Sequence, residues 1–166
     1  MPFKPVPRLK CFDYAGFNRY FLTICVRHRA REFVDAAAVS LALSQLSHTA
    51  DAERFSVIAY CFMPDHLHAL VEGLRPDADF RRFVRVFKQR SSFHWKRRTS
   101  SELWQRGYFE HVLRDDEDSF DVAKYILDNP VRAGLVATPQ EYPFVGSPTM
   151  TVLDLMYSIQ INHRPT

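Results

Sequence analysis

Residues 55–72 read FSVIAYCFMPDHLHALVE. Phe55 to Met63 is rich in β-branched and aromatic side chains and spells a strand. Pro64-Asp65 makes a turn, and His66 to Glu72 makes a second strand, predicted to run antiparallel to the first. Side chains alternate along a strand, so His66 and His68 leave one face. Leu67 and Ala69 leave the other, toward the helices expected to cover the core.

Working outward, Arg19 to Val26 (RYFLTICV) is another strand, and Ala36 to Ala52 places Val39, Leu43, Leu46 and Ala50 at helical spacing. Asp77 to about Arg98 is a long helix with Asp77 or Asp79 as its N-cap. Tyr108 to Arg114 (YFEHVLR) is a fourth strand, and Ser119 to Asp128 a short helix. Asn129-Pro130 is expected to end that helix, because a residue before proline disfavours the α conformation. Residues 1–18 read as an irregular arm and 148–166 as a tail, with one turn of structure near Tyr142 to Val145. The order β-α-β-β-α-β-α predicts an α+β fold, the ferredoxin-like α/β plait: an antiparallel sheet, both long helices on one face, and an added C-terminal helix. The 166 residues are read as one domain.

A hydrophobic fraction of 46% and a charged fraction of 25% are those of a globular protein. No apolar run approaches the roughly 18 residues of a membrane span. The basic start MPFKPVPRLK has no apolar stretch behind it, so it does not read as a secretory signal. Cys11, Cys25 and Cys61 form no close pair and read as reduced, mostly buried thiols of a cytoplasmic protein. The net charge of +3 is unevenly spread. Asp77 to Arg98 holds eight Lys/Arg against two acids, and Glu110 to Asp128 holds seven acids against two bases. That division fits a protein that binds a polyanion in one place.

Three groups of residues could carry chemistry. His66 and His68 could both reach one divalent ion, but two imidazoles do not complete a site, and the bland reading is two half-exposed histidines. Tyr125 and Asn129, i and i+4, share a helix edge. A tyrosine hydroxyl is a poor nucleophile unless a metal polarises its target, and the Asn129 carbonyl suits Mg2+ or Mn2+. Asp118 and Asp121 are reserve ligands; alternatively Tyr125 packs on the sheet and Asn129 caps the helix. In the long helix, Phe80, Phe83, Val84, Phe87 and Trp95 define a buried face. Arg81, Arg85, Lys88, Ser92 and Lys96 fall in one sector, unmatched by acids after Asp79, and either track a phosphate backbone or form a solvated face.

YCFMPDHLHALVEG (residues 60–73), LWQRGYFEHVLRDDED (103–118) and YILDNPVRAGLV (125–136) together resemble the three blocks of single-tyrosine HUH transposases, in particular the REP-associated tyrosine transposases of bacteria. The resemblance covers nearly all of residues 8–147. It implies that His66 and His68 are metal ligands with Asn129 as the third, and that Tyr125 is the catalytic nucleophile. It also implies an activity: cleavage of single-stranded DNA beside palindromic hairpins, through a 5′-phosphotyrosine link and a free 3′-hydroxyl, reversed for strand transfer. The partner expected is hairpin DNA, the place the bacterial cytoplasm at the nucleoid, the state a monomer or homodimer. Trp104, Tyr108 and Trp95 are candidate stacking platforms for unpaired bases, with core packing the stronger reading for Trp95. The competing functions are a non-catalytic hairpin binder, a metal-dependent phosphodiesterase with a structural Tyr125, and an RNA-binding module, whose paired aromatic motifs are lacking.

Overall fold

The computed structural model describes residues 12–114 and 117–162. Cys11 and most of the predicted arm lie outside them. Five strands, β1 (Arg19–Cys25), β2 (Phe55–Met63), β3 (His66–Gly73), β4 (Phe109–Val112) and β5 (Val145–Gly146), form one sheet in the order β4-β1-β3-β2-β5, every pair antiparallel. The first four in the order 4-1-3-2 make the predicted plait. Helices α1 (Ala36–Glu53) and α2 (Phe80–Thr99) cover one face, and α3 (Ser119–Arg132) and α4 (Val152–Asn162) the other.

The alternation of β3 builds both cores. Leu67, Ala69 and Val71 pack with Leu46, Phe83 and Phe87 of α1 and α2, whereas Leu70 packs with Val122, Ile126 and Leu127 of α3. Burying a leucine or valine of this kind contributes about 1.5–3 kcal/mol. In β2 a bulge at Val57/Ala59 inserts one residue. Phe55 and Val57 before it, and Tyr60 and Phe62 after it, therefore reach the same face despite their odd spacing.

The helix starts follow capping rules: Asp35 accepts from the Ala38 amide, Asp79 from Arg82, and Asp118 from Phe120. Asp79, not Asp77, is the cap of α2.

The expected break at Asn129-Pro130 is absent, and α3 runs on to Arg132. Proline removes only one N–H, and here it falls in the last turn, where Ala133 N–H closes onto the Asn129 carbonyl and Leu135 N–H onto that of Pro130. Pro130 is buried, so packing offsets the loss. The region read as tail is also corrected: β5 adds to the free edge of β2, and α4 packs on α3 through Leu155.

Gly73, at the end of β3, lies against the Gly16 turn so closely that a Cβ would sit 2.0 Å from the Gly16 carbonyl oxygen and 3.3 Å from the Ala78 Cβ. Gly73→Ala should therefore force the two backbones apart, at a cost of about 1–3 kcal/mol. At about 2–4 °C per kcal/mol for a domain of this size, a thermal melt should show the Tm down by roughly 2–12 °C; an unchanged Tm would refute the close approach.

Candidate metal and nucleophile site

The face of the sheet under α3 carries a grid fixed by strand register. His66 lies between Cys25 of β1 and Met63 of β2, and His68 between Thr23 and Cys61. The two imidazoles converge, with Nε2 to Nε2 at 3.0 Å, and each opposite nitrogen is held. Asp65 Oδ1 accepts from His66 Nδ1 at 2.6 Å, and Thr23 Oγ1 lies 2.8 Å from His68 Nδ1. Arg29 Nε in turn donates to Asp65 Oδ2 at 2.8 Å.

These contacts assign the ring protons. The Asp65 carboxylate can only accept, so Nδ1 of His66 carries the ring proton and the lone pair is on its Nε2. His68 Nε2 then donates to that lone pair, and its Nδ1 accepts from the Thr23 hydroxyl. Burial pushes the pKa of His68 down to about 3, aided by the nearby His66 and Arg29. Burial also lowers that of His66, against the pull of Asp65. Both rings are neutral near pH 7.

Divalent-ion fit can be judged from this donor set. Metal–ligand bonds of about 2.0–2.1 Å meeting at a right angle leave their donor atoms roughly 3 Å apart, as these Nε2 atoms are. Imidazoles whose second nitrogens bond a carboxylate and a hydroxyl have the outer shell expected of metal ligands. Among the described residues there is no cluster of three His, Cys, Asp or Glu suited to a metal, so a third protein ligand would have to be of another kind. The donors present fit a small divalent ion.

Helix α3 brings Tyr125 to this pair. Its ring centroid is 6.1 Å from that of His68 and 5.8 Å from Phe21, and the Arg132 guanidinium lies 5.0 Å over its ring. Asn129, one turn on, donates its Nδ2 to the Tyr125 carbonyl at 2.8 Å. That bond fixes the amide's orientation and leaves Oδ1 as its acceptor. The reserve carboxylates are not brought here: Asp118 caps the far end of α3, and Asp121 is exposed one turn before Tyr125.

The proposed basic stripe is a different surface. It lies on α2, across the sheet from the histidines, and its members differ in fate. Lys88 Nζ donates to the carbonyls of Gln105 and Gly107, both at 2.8 Å, and half-burial lowers its pKa. It holds a loop and is not a spare phosphate contact. Arg81 stacks on Tyr14. Arg85 and Lys96 are exposed, and Ser92 is half-buried. Trp104 is only 7% exposed, packs on Phe33 and Phe87, and donates its indole N–H to Ser91 Oγ. It is therefore a core residue and not a base-stacking platform, as is Trp95. Sequence reading missed Thr23, Asp65, Arg29 and Arg132. Asp65 had a signal, its place beside His66; the others are joined to the site only by strand register or helical repeat.

Two consequences can be measured. Thr23→Val keeps the shape and removes the hydroxyl that would turn to accept a hydrogen bond from His68 Nδ1–H once an ion takes the Nε2 lone pair. Mn2+ affinity by titration calorimetry should fall by about 10–100-fold; an affinity equal to wild type would detach Thr23 from the site. In chelator, the depressed pKa of His68 means that the unfolded chain binds a proton below about pH 6.5 that the folded chain refuses. Stability should thus be lost as pH falls from there toward 3, by up to about 1.4 kcal/mol per pH unit from this group. Urea unfolding of His68→Asn should show a shallower acid slope; parallel slopes would refute the burial.

The family described as Transposase IS200 like matches residues 18–129. A REP-associated tyrosine transposase of Escherichia coli K12 is 25% identical over 131 residues, covering 79% of this chain and 77% of the relative. A Haemophilus influenzae protein given the same class of name is 26% identical over 145 residues, covering 80% and 81%. Among solved structures, a REP-associated tyrosine transposase bound to a REP hairpin superposes with a TM-score of 0.71 at 21% identity, over 84% of this chain and 82% of that one. That last likeness is one of fold.

Proposed function

As this chain belongs to the IS200-like transposase family, we propose that it cleaves and rejoins single-stranded DNA beside palindromic hairpins, with Tyr125 as the nucleophile. The observation that carries the reading is the placement of the Tyr125 ring 6.1 Å from His68, whose Nε2 meets that of His66 at 3.0 Å. A tyrosine used only for packing would need no convergent, doubly pinned imidazoles beside it.

His66, His68 and the Asn129 carbonyl would hold Mg2+ or Mn2+, which when bound polarises a phosphate oxygen and offsets the charge that builds at phosphorus. The chain's own groups do the rest. Tyr125 Oη forms a bond to the scissile phosphorus, and the bond from phosphorus to the 3′-oxygen breaks. The phenolic proton is lost and one proton ends on the 3′-oxygen, so no water is consumed. Because the phosphotyrosine is still an ester, a 3′-hydroxyl can attack it and restore a DNA linkage without an external energy source. Arg132, over the tyrosine ring, places a positive charge beside the phenol and the incoming phosphate. Asp65 fixes the ring angle and tautomer of His66, and Thr23, by turning to accept from His68 Nδ1–H, would let His68 present its Nε2 lone pair to the ion as well. Asn129 Nδ2, bonded to the Tyr125 carbonyl, ties the third ligand to the turn that carries the nucleophile.

Tyr125→Phe removes one oxygen and retains the ring contacts with Phe21 and His68. With hairpin-bearing single-stranded DNA and Mn2+, wild type should give a slow-migrating covalent species on a denaturing gel and a fragment ending in a 3′-hydroxyl. The variant should give neither, with its Tm within a few degrees of wild type. An adduct that persists in Tyr125→Phe would move the nucleophile elsewhere. Cleavage without an adduct would make the protein a phosphodiesterase, and binding without cleavage a hairpin-binding protein.

A further inference from the structure

Two recesses outside the metal site form one groove. The first, of about 650 Å3, is lined by Arg27, His28, Glu102, Trp104, Gln105 and Arg106. The second, of about 370 Å3, shares Glu102 and Trp104 and continues along α2 past Ser92, Phe93 and Lys96. Trp104, held from below by Ser91, is the common floor.

The groove's chemistry is unusual for a solvated helix face. Phe93 is 59% exposed, with the Arg97 guanidinium 5.7 Å from its ring centre. A ring so exposed gains little from burial within the chain, and one flanked by cations is suited to stacking on a flat, polyanion-borne partner. Arg106 and Lys96 are exposed cations in its lining, Arg97 flanks Phe93, and the one acid in the lining, Glu102, is already paired with Arg27. One end of the groove is joined to the histidine pair through the chain. Arg27 and His28 belong to the same three-residue turn as Arg29, which holds Asp65 and through it His66.

We propose that this groove seats an unpaired segment of the single-stranded DNA substrate, with one base stacked on Phe93 and phosphates held by Lys96 and Arg106. Stacking plus a cationic track is the chemistry by which single strands are bound without base pairing. A duplex stem offers no free base face to Phe93, so the groove discriminates unpaired from paired DNA. The strand passes from the histidine pair, over the turn at Arg27–Arg29, to the outer side of α2. This gives the exposed Lys96 a phosphate-binding role that it shares with Arg106 of the loop, instead of with Lys88 and the rest of a straight stripe along α2.

The proposal rests on the reading of the chain as a single-strand DNA enzyme, and its test is made independent of cleavage by working in the Tyr125→Phe background. Binding of a random-sequence single-stranded oligonucleotide and of a blunt DNA hairpin is measured by fluorescence anisotropy. Adding Phe93→Ala should weaken single-strand binding at least about fivefold, the loss of one base–aromatic stack, and leave blunt-hairpin binding within about twofold. Phe93→Trp should restore it. Lys96→Ala with Arg106→Ala should lower the salt slope for the single strand by about 0.7 per lost contact. An oligonucleotide carrying 5-iodouracil should photo-crosslink to Phe93. Unchanged single-strand affinity in Phe93→Ala, or an equal loss on the blunt hairpin, would overturn the proposal. Absence of an adduct in wild type would sink the catalytic reading and leave this result standing.

Discussion

Strand β3 is buried on both faces, and everything else in the molecule is arranged around that. Its odd positions, Leu67, Ala69 and Val71, must meet α1 and α2, while His66, His68 and Leu70 must meet α3. Two histidines on a buried face would be costly if their nitrogens went unsatisfied. All four ring nitrogens are satisfied, one Nδ1 by Asp65, the other by Thr23, and the two Nε2 atoms by each other. A register slip of one residue would carry both imidazoles into the aromatic core around Phe80 and Phe83, so the packing of one face enforces the chemistry of the other.

Helix α3 brings Tyr125 beside that pair. Its apolar residues, Val122, Ile126 and Leu127, dock on the sheet, and Tyr125 and Asn129 follow at its edge. Pro130 in the last turn reads from sequence as a stop, yet the helix continues because the missing donor falls where few bonds remain to be made. Tyr125, Asn129 and Arg132 thus stay on one rigid element, spaced by four and three residues, and the helical repeat sets the relation of the proposed nucleophile, proposed ligand and cation.

Much of this was legible in the sequence because the hairpin at residues 55–72 has strong β signals and a strict alternation after its turn. The helices α1 and α2 had clear apolar spacing, and the three sequence blocks carried the family. What could not be read depends on long-range pairing. The bulge at Val57/Ala59 shifts the phase of β2 without a glycine to mark it. Thr23 reaches His68 only because β1 pairs with β3 in one register. The basic sector of α2 was visible, but its fates were not: Lys88 is claimed by two carbonyls, and Trp104 is drawn into the core. The short β5 and the helix α4 follow proline-containing loops with no strong periodic signal.

His66, His68 and Asn129 are the proposed ligands of a divalent ion beside Tyr125. Anomalous diffraction from crystals of the protein soaked in Mn2+ tests this assignment most directly. One strong peak is expected at bonding distance from Nε2 of both histidines and from Asn129 Oδ1, with the Tyr125 hydroxyl on the open side of the ion. A peak held by other residues, or none at the histidine pair while Mn2+ is in excess, would contradict it.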